Sequence, residues 1–188
     1  GETMQEELPP VYDPALINAD TDLLAVAAGL ARAQVGRLCL HGPPGTGKTA
    51  FGRWLAEHLG LPLVVKRASD ILDMYVGGTE RNIARAFTEA REVGALLLID
   101  EVDSFLQDRR RSQRVWEVTE VNEMLVQIER FPGVLVASTN LIDGLDQAAM
   151  RRFDLKIRFD ALRSDQAFVL LERHCLDLGL AQPAAAQR

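Results

Sequence analysis

The residues best suited to chemistry lie at positions 41–49, which read HGPPGTGKT. They fit the pattern G-x4-G-K-T of a phosphate-binding loop between a strand and a helix. Glycines let backbone N–H groups curl around a phosphate, the lysine reaches the β and γ oxygens, and the threonine offers a hydroxyl to Mg²⁺. The predicted nucleotide-binding residues are therefore Gly42, Pro43, Pro44, Gly45, Thr46, Gly47, Lys48 and Thr49.

Two adjacent carboxylates, Asp100 and Glu101, close the apolar run at 96–99. If that run is a strand of a parallel sheet, the pair emerges at the carboxyl edge, where such sheets bind ligands. We expect Asp100 to hold Mg²⁺ through its water shell and Glu101 to polarise an attacking water. The alternative is a pair of acids that simply caps a strand in a solvated loop. Together with the loop, the pair favours hydrolysis over binding alone.

The elements that must position these residues follow from hydropathy. Short apolar runs at 38–40, 63–65, 96–99 and 134–137 alternate with helical patterns. Strands without polar alternation are covered on both faces, which is typical of a parallel sheet in an α/β domain. Leu155, Ile157 and Phe159 alternate with charged residues and predict a fifth, half-exposed edge strand. We also expect a capped helix over 21–32 and a last helix with an N-cap at Ser164 and Asp165.

Composition limits the class of protein. The chain has 188 residues, 47% of them hydrophobic, which suits one globular domain with a core. A net charge of −6 disfavours nucleic-acid binding through bulk charge. Cys39 and Cys175 lack metal-ligand spacing, so a reducing cytoplasmic compartment fits. No apolar run reaches the length of a membrane span, so no membrane association is expected.

Five motifs in order resemble those of the AAA+ ATPases, and within them the AAA clade that includes katanin, spastin and the membrane-anchored AAA proteases. The motifs lie at 41–49, 74–78, 96–103, 136–140 and 145–154, and the resemblance covers roughly residues 20–178. It implies ATP with Mg²⁺, a five-stranded sheet in the order 5-1-4-3-2, and a ring that is usually a hexamer. It also implies a nucleotide-binding domain at 20–160 and the first helix of a helical lid at 161–188. Residues 1–19 are rich in Glu and Pro, and this composition predicts a flexible segment.

Further site residues come from this resemblance. Asn140, at the end of a strand beside Asp100 and Glu101, matches the family's sensor 1, although an asparagine there could instead cap the following turn. Arg151 and Arg152 match the pair that reaches into a neighbouring subunit's nucleotide. Many family members separate these arginines by Pro-Gly, so the sequence does not decide which one acts. A solvated basic turn is the alternative.

Tyr75 and Val76 match the loop that grips an extended polypeptide in the central pore of such rings, whereas the alternative is that Tyr75 packs under its helix. Arg109, Arg110, Arg111 and Arg114 fall in the segment of a second pore loop or form a solvated charge cluster. The predicted partner is therefore a protein substrate. A nucleic-acid loader that uses the arginine cluster is the alternative, and a scaffold that binds ATP without turnover is a third, weaker one.

Overall fold

A single parallel sheet organises the chain. The computed structural model describes residues 12–75, 77–106 and 115–180. The strands are β1 Gly36–His41, β2 Leu63–Arg67, β3 Leu96–Asp100, β4 Val134–Thr139 and β5 Leu155–Arg158. Their order is β2-β3-β4-β1-β5, and every pairing is parallel. This is the predicted order read from the opposite edge, so the predicted fold class is confirmed.

Seven α-helices surround the sheet in the described part of the chain. They are α1 Leu23–Ala33, α2 Lys48–Leu59, α3 Ala68–Ile71, α4 Gly78–Glu92, α5 Val115–Arg130, α6 Gln147–Met150 and α7 Ser164–Asp177. The apolar stripes of α4 and α5 belong to the core on one face of the sheet, and those of α1 and α2 belong to the core on the other. The domain is therefore a three-layer α/β structure.

Strand β3 shows why the apolar runs are continuous. Leu97 and Ile99 belong to the core beneath α4 and α5, whereas Leu96 and Leu98 belong to the core beneath α1 and α2. All four side chains are buried. Because successive side chains of a strand point to opposite faces, a strand covered on both faces needs apolar residues at every position.

Strand β5 is the edge strand that the alternating pattern predicts. It pairs with β1, and among the described residues it has no second neighbour within the sheet. Ile157 is buried, whereas Leu155, Lys156 and Arg158 are exposed. Charged side chains on an edge strand discourage pairing with another chain.

Helix α7 begins near the predicted position, but its N-cap lies one residue before the predicted one. Arg163 is the N-cap, and its backbone N–H donates to the side-chain oxygen of Gln166 at 3.0 Å. Ser164 and Asp165 therefore lie inside the first turn. The glutamine three positions after the cap, rather than a serine hydroxyl, accepts this free N–H at the start of the helix.

Residues 12–20 cross the surface beside α2 and β5. The ring of Tyr12 lies 6.4 Å from that of Trp54, and Ala19 pairs with Phe159 in an isolated antiparallel bridge. Residues 1–11 and 181–188 lie outside the described residues, and the division into segments at 1–19, 20–160 and 161–188 stays a prediction. Within the described ranges, no helix is long and apolar enough to cross a membrane.

Candidate active site

The phosphate loop joins the end of β1 to the start of α2. Gly42 has φ of +137°, and a Cβ there would collide with the backbone carbonyl oxygen of Phe159. Gly47 has φ of +92° and is the N-cap of α2. A side chain would be strained at both positions, so the loop needs glycine at its beginning and end. The N–H groups of the first turn of α2 lack helical partners and form an anion-binding site.

Lys48, the first residue of α2, is buried inside this loop. Its Nζ donates to the carbonyl oxygens of Gly42 and Pro43, each at 2.7 Å. Burial lowers the pKa of the ammonium group from its ordinary value of 10.5, and the nearby carboxylates of Asp100 and Asp103 oppose this effect. The loop is thus folded around its own cation.

Asp100 lies where strands β3 and β4 and helix α2 meet. Thr49 Oγ1 donates to Asp100 Oδ2 at 3.0 Å, and the buried Ser138 of β4 donates its hydroxyl to Asp100 Oδ1. Mg²⁺ prefers oxygen ligands and usually retains several waters, so a hydroxyl and a carboxylate at this spacing fit it. Ser138 fixes the carboxylate from behind, as partners of metal ligands commonly do.

One cavity of about 480 Å³ brings most of the predicted site together. It is lined by the loop residues Pro44, Gly45, Thr46, Gly47, Lys48 and Thr49, by Ala50 and Arg53 of α2, and by Asp100, Glu101 and Asn140. Gly42 and Pro43 lie at the start of the loop and do not line the cavity. The acidic pair and Asn140 therefore face the same cavity as the phosphate loop. The loop follows β1, the acidic pair lies at the end of β3, and Asn140 follows β4.

Glu101 has an unusual backbone conformation. Its φ is +61°, and in the described part of the chain only Gln34 shares a positive φ among residues other than glycine. This left-handed residue follows β3 and precedes the 3-10 helix Val102–Ser104. Such backbone strain concentrates at functional sites, since the surrounding structure must enforce it.

Four polar residues near the site, Arg53, Asp103, Ser138 and Thr139, were not predicted as site residues. Arg53 lines the cavity one turn after Thr49, and the i to i+4 spacing on α2 could have revealed it. Thr139 Oγ1 donates to Asp103 Oδ1 at 2.7 Å and accepts from the N–H of Leu141 at 3.0 Å. The first contact joins the 3-10 helix after β3 to β4, and the second fixes the backbone on both sides of Asn140.

Arg151 and Arg152 follow α6 and lie outside the cavity lining. Arg151 is exposed, its backbone N–H caps α6, and its side chain makes no hydrogen bond or ion pair within the described ranges. Arg152 is half-buried and contacts Glu129 of α5. The structure thus does not bring either arginine to the nucleotide cavity of its own chain.

The predicted pore-loop residues precede α4. Tyr75 is 72% exposed and Met74 is 89% exposed, so Tyr75 does not pack under its helix. The Tyr75 N–H donates to Asp73 Oδ1 at 2.9 Å, and the Asp73 N–H donates to Thr79 Oγ1 at 3.1 Å. Val76, together with the arginines at 109, 110, 111 and 114, lies outside the described residues.

Comparison with known proteins identifies the family. Residues 38–161 match the model of the ATPase family associated with various cellular activities (AAA). The ATP-dependent zinc metalloprotease FtsH 3 of Sphaerobacter thermophilus is 34% identical over 150 residues, which are 76% of this chain and 31% of that protein. Spastin of Drosophila erecta is 34% identical over 148 residues, 74% of this chain and 19% of its own.

An uncharacterised AAA family ATPase of Sinorhizobium fredii is 38% identical over 122 residues, 63% of this chain and 37% of that protein. The chain thus spans less than two fifths of the length of these curated relatives. The matched region begins within β1 and contains β2 to β5 with the phosphate loop and both carboxylates. The chain therefore belongs to the AAA family of ATPases, and the domain that it forms is an ATP-hydrolysing one.

Proposed function

We propose that this chain hydrolyses ATP in the presence of Mg²⁺ as part of a homo-oligomeric ring, a hexamer, and couples hydrolysis to the remodelling or threading of a protein substrate. One observation carries the hydrolytic part. A single cavity is lined by the phosphate loop on one side and by Asp100, Glu101 and Asn140 on the other. A phosphate held by the loop would therefore face the carboxylates.

Each side chain has a distinct role in this proposal. Lys48 and the N–H groups of the loop bind the phosphate oxygens. Thr49 and Asp100 hold Mg²⁺, which when bound neutralises phosphate charge. Glu101 accepts a proton as a water oxygen bonds to the γ-phosphorus and the bond to the bridging oxygen breaks, which yields ADP and phosphate. Asn140 orients that water through its amide.

The ring is proposed because the site of one chain lacks an arginine from the α6 turn. Arg151 and Arg152 do not line the cavity of their own chain. In this proposal, the phosphates that they contact are therefore those of a nucleotide bound to a second copy. An arginine that stabilises the charge of the transition state is worth roughly 10³ to 10⁵ in rate. Hydrolysis would then depend on assembly.

A protein substrate is supported by the exposed loop before α4. Met74 and Tyr75 are two large apolar side chains that stand out from the surface together, and such groups mark interaction sites. Their burial against a polypeptide is non-directional, so it tolerates many sequences. The name of the matched FtsH 3, an ATP-dependent metalloprotease, agrees with a protein substrate.

Hydrolysis is tested with two variants of opposite character. Lys48→Ala should lose nucleotide binding, whereas Glu101→Gln should bind ATP with nearly normal affinity and lose about 10²-fold or more in turnover, because only the general base is removed. Binding is measured by calorimetry and turnover by phosphate release. Glu57→Gln, at an exposed position on α2, is the matched control and should behave as wild type. Normal turnover in Glu101→Gln would refute its role.

The substrate class is tested at Tyr75. ATP turnover by the wild type should rise when an unfolded protein is added, and Tyr75→Ala should lose this stimulation while it retains the basal rate. Val93→Ala, which removes an exposed apolar side chain at the far end of α4, should retain it. Stimulation by single-stranded DNA that disappears in high salt would instead support a nucleic-acid substrate.

A further inference from the structure

Thr139, the last residue of β4, has a buried side chain whose hydroxyl group makes two hydrogen bonds. Its Oγ1 donates to Asp103 Oδ1 at 2.7 Å and accepts the backbone N–H of Leu141 at 3.0 Å. A hydroxyl group has a single proton, so Thr139 donates to Asp103 alone. The bond from Leu141 closes the backbone around Asn140, which lies between the two bonded residues.

The backbone of Thr139 contacts the start of the phosphate loop. Its carbonyl oxygen accepts the N–H of Gly42 at 3.3 Å, and His41 of β1 is its partner in the parallel register. Thr139 is therefore joined to all three parts of the proposed site. It bonds to the phosphate loop through its carbonyl group and to the segment after β3 through its hydroxyl group, and Asn140 follows it in the chain.

Glu101 lies between two carboxylates that β4 holds. On one side the Ser138 hydroxyl donates to Asp100, and on the other the Thr139 hydroxyl donates to Asp103. Both hydroxyl-bearing residues are 1% exposed, whereas the Glu101 side chain is exposed. The left-handed backbone of Glu101, with φ of +61°, costs energy in a residue that has a Cβ, so surrounding contacts must maintain it. The two hydroxyl bonds are such contacts.

We infer that Thr139 and Asp103 are positioning residues, and that the hydrogen bond between them fixes the placement of Glu101 relative to Asn140. This inference rests on the proposed hydrolysis of ATP. A displacement of about 1 Å between reacting groups can cost roughly 10²-fold in rate, so a bond that joins these two segments controls turnover. It does so although neither Thr139 nor Asp103 lines the cavity.

Removal of the Thr139 hydroxyl group tests the inference. Thr139→Val keeps a side chain of similar shape but loses both hydrogen bonds, so kcat should fall about 10 to 100-fold while KM and the Kd of ATP stay within about twofold. Thr139→Ser retains the hydroxyl group and should keep most of the turnover. Thr88→Val, the same change at an exposed position on α4, is the matched control and should behave as wild type. A kcat near the wild-type value in Thr139→Val would overturn the inference.

A double-mutant cycle tests whether Thr139 and Asp103 act through their mutual bond. If they do, the variant with both Thr139→Val and Asp103→Ala should turn over ATP as slowly as the slower single variant, whereas independent roles would multiply the two losses. Asp103→Asn keeps a side-chain oxygen that accepts from Thr139, so it should retain more turnover than Asp103→Ala. The Asp103 carboxylate also opposes the effect of burial on the pKa of Lys48. If that charge is its role, Asp103→Asn should be as impaired as Asp103→Ala, and the inference is wrong.

Hydrogen exchange without nucleotide measures the contact independently of hydrolysis. The N–H of Leu141 should exchange with solvent deuterium several-fold faster in Thr139→Val than in the wild type or in Thr139→Ser, because its acceptor is gone. Thermal unfolding of each variant identifies any that fails to fold. Thr139→Ala, which also lacks the hydroxyl group, then replaces Thr139→Val.

The outcomes are distinguishable. A wild-type chain without ATP hydrolysis at any concentration would overturn the proposed function and the inference with it. If the wild type hydrolyses ATP but loss of the hydroxyl group changes neither kcat nor the exchange of Leu141, or if the losses in the cycle multiply, the inference alone fails.

Discussion

The ammonium group of Lys48 is buried against two backbone carbonyl oxygens, and burial lowers its pKa below 10.5. Phosphate binding needs the charged form. ATP affinity should therefore be constant while Lys48 stays protonated and should fall by up to about tenfold per pH unit above the lowered pKa, because binding must then be accompanied by proton uptake. The decline should begin below pH 10.5, measured as the Kd of ATP without magnesium from pH 7 to 10.5.

The matched control for this prediction is Lys48→Arg. A guanidinium stays protonated well above this pH range, so its charge persists from pH 7 to 10.5. The affinity of this variant, taken relative to its own value at pH 7, should remain flat where that of the wild type declines. A wild-type affinity that is equally flat up to pH 10.5 would contradict the buried position of the lysine.

At the residue scale, the sequence predicts the residues of the proposed catalytic site better than the residues that position them. Residues 44–49, Asp100, Glu101 and Asn140 are predicted and share one cavity, because a loop motif and strand ends fix their positions along the chain. Ser138 and Arg53 were missed. The bond from Ser138 to Asp100 joins two strands 38 positions apart, and no local pattern in the sequence records that pairing.

At the scale of elements, the conformation of the loop before α4 requires a residue without a Cβ at position 78. A Cβ at Gly78 would overlap the carboxyl group of Asp73, which accepts the N–H of Tyr75. We expect Gly78→Ala to force Asp73 to rotate and lose that bond, at roughly 1 kcal/mol. This loss offsets the helix-propensity gain of about 0.5–1 kcal/mol that alanine normally brings to a helix. The net change in the free energy of unfolding by urea should be near zero or unfavourable.

Repeating the Gly78→Ala substitution in a variant that lacks the Asp73 carboxylate tests whether the contact with Asp73 causes the loss of stability. In Asp73→Ala, the substitution Gly78→Ala should stabilise the protein, because only the propensity gain remains. Gly29→Ala is the control within α1, since a Cβ there meets nothing within 4 Å, and it should stabilise by about 0.5–1 kcal/mol. If Gly78→Ala stabilises the wild type as much as Gly29→Ala does, the contact with Asp73 has no energetic consequence.

The hydropathy pattern is sufficient to predict some of the strands and helices but not others. The apolar runs predict β1, β3 and β4 because both faces of these strands are covered, and alternation predicts the edge strand β5. The order of the strands came from the family resemblance, because periodicity reveals the faces of a strand but not its neighbours. Helices α3 and α6 have four residues each, too few for a helical period to be recognised.

At the scale of the molecule, residues 12–20 link parts of the chain that are distant in sequence. Ile17 lies against Gly47 of the phosphate loop, and a Cβ on that glycine would be 3.3 Å from its Cδ1. The Asp20 N–H donates to the carbonyl oxygen of Arg158 in β5, and the Arg158 N–H donates to Asp20 Oδ1, each at 3.0 Å. Arg173 of α7 donates to Asp13 Oδ2 at 2.7 Å. One segment thus contacts the loop, the edge strand and the last described helix.

The pair of Asp13 and Arg173 makes this linkage measurable through pH. Burial raises the pKa of Asp13, but the hydrogen bond from Arg173, the N–H of Ala15 and the charge of Arg173 outweigh it, so the pKa lies below 3.8. A lowered pKa in the folded state means that the stabilisation is present above pH 3.8 and is lost as pH falls through the folded value. Because the pair is partly exposed, its coupling should be about 0.2–1 kcal/mol at pH 7.

A double-mutant cycle with Asp13→Asn and Arg173→Ala measures that coupling from the free energies of unfolding. It should approach zero as the pH falls below the lowered folded-state pKa of Asp13, where the carboxyl group is protonated in both states, and it should shrink in high salt. Glu172→Gln, the neighbouring position on α7, should show no coupling with Arg173→Ala beyond the uncertainty. A coupling that is unchanged at low pH would mean that the two residues interact through packing, and the segment would then be held to α7 by shape and not by charge.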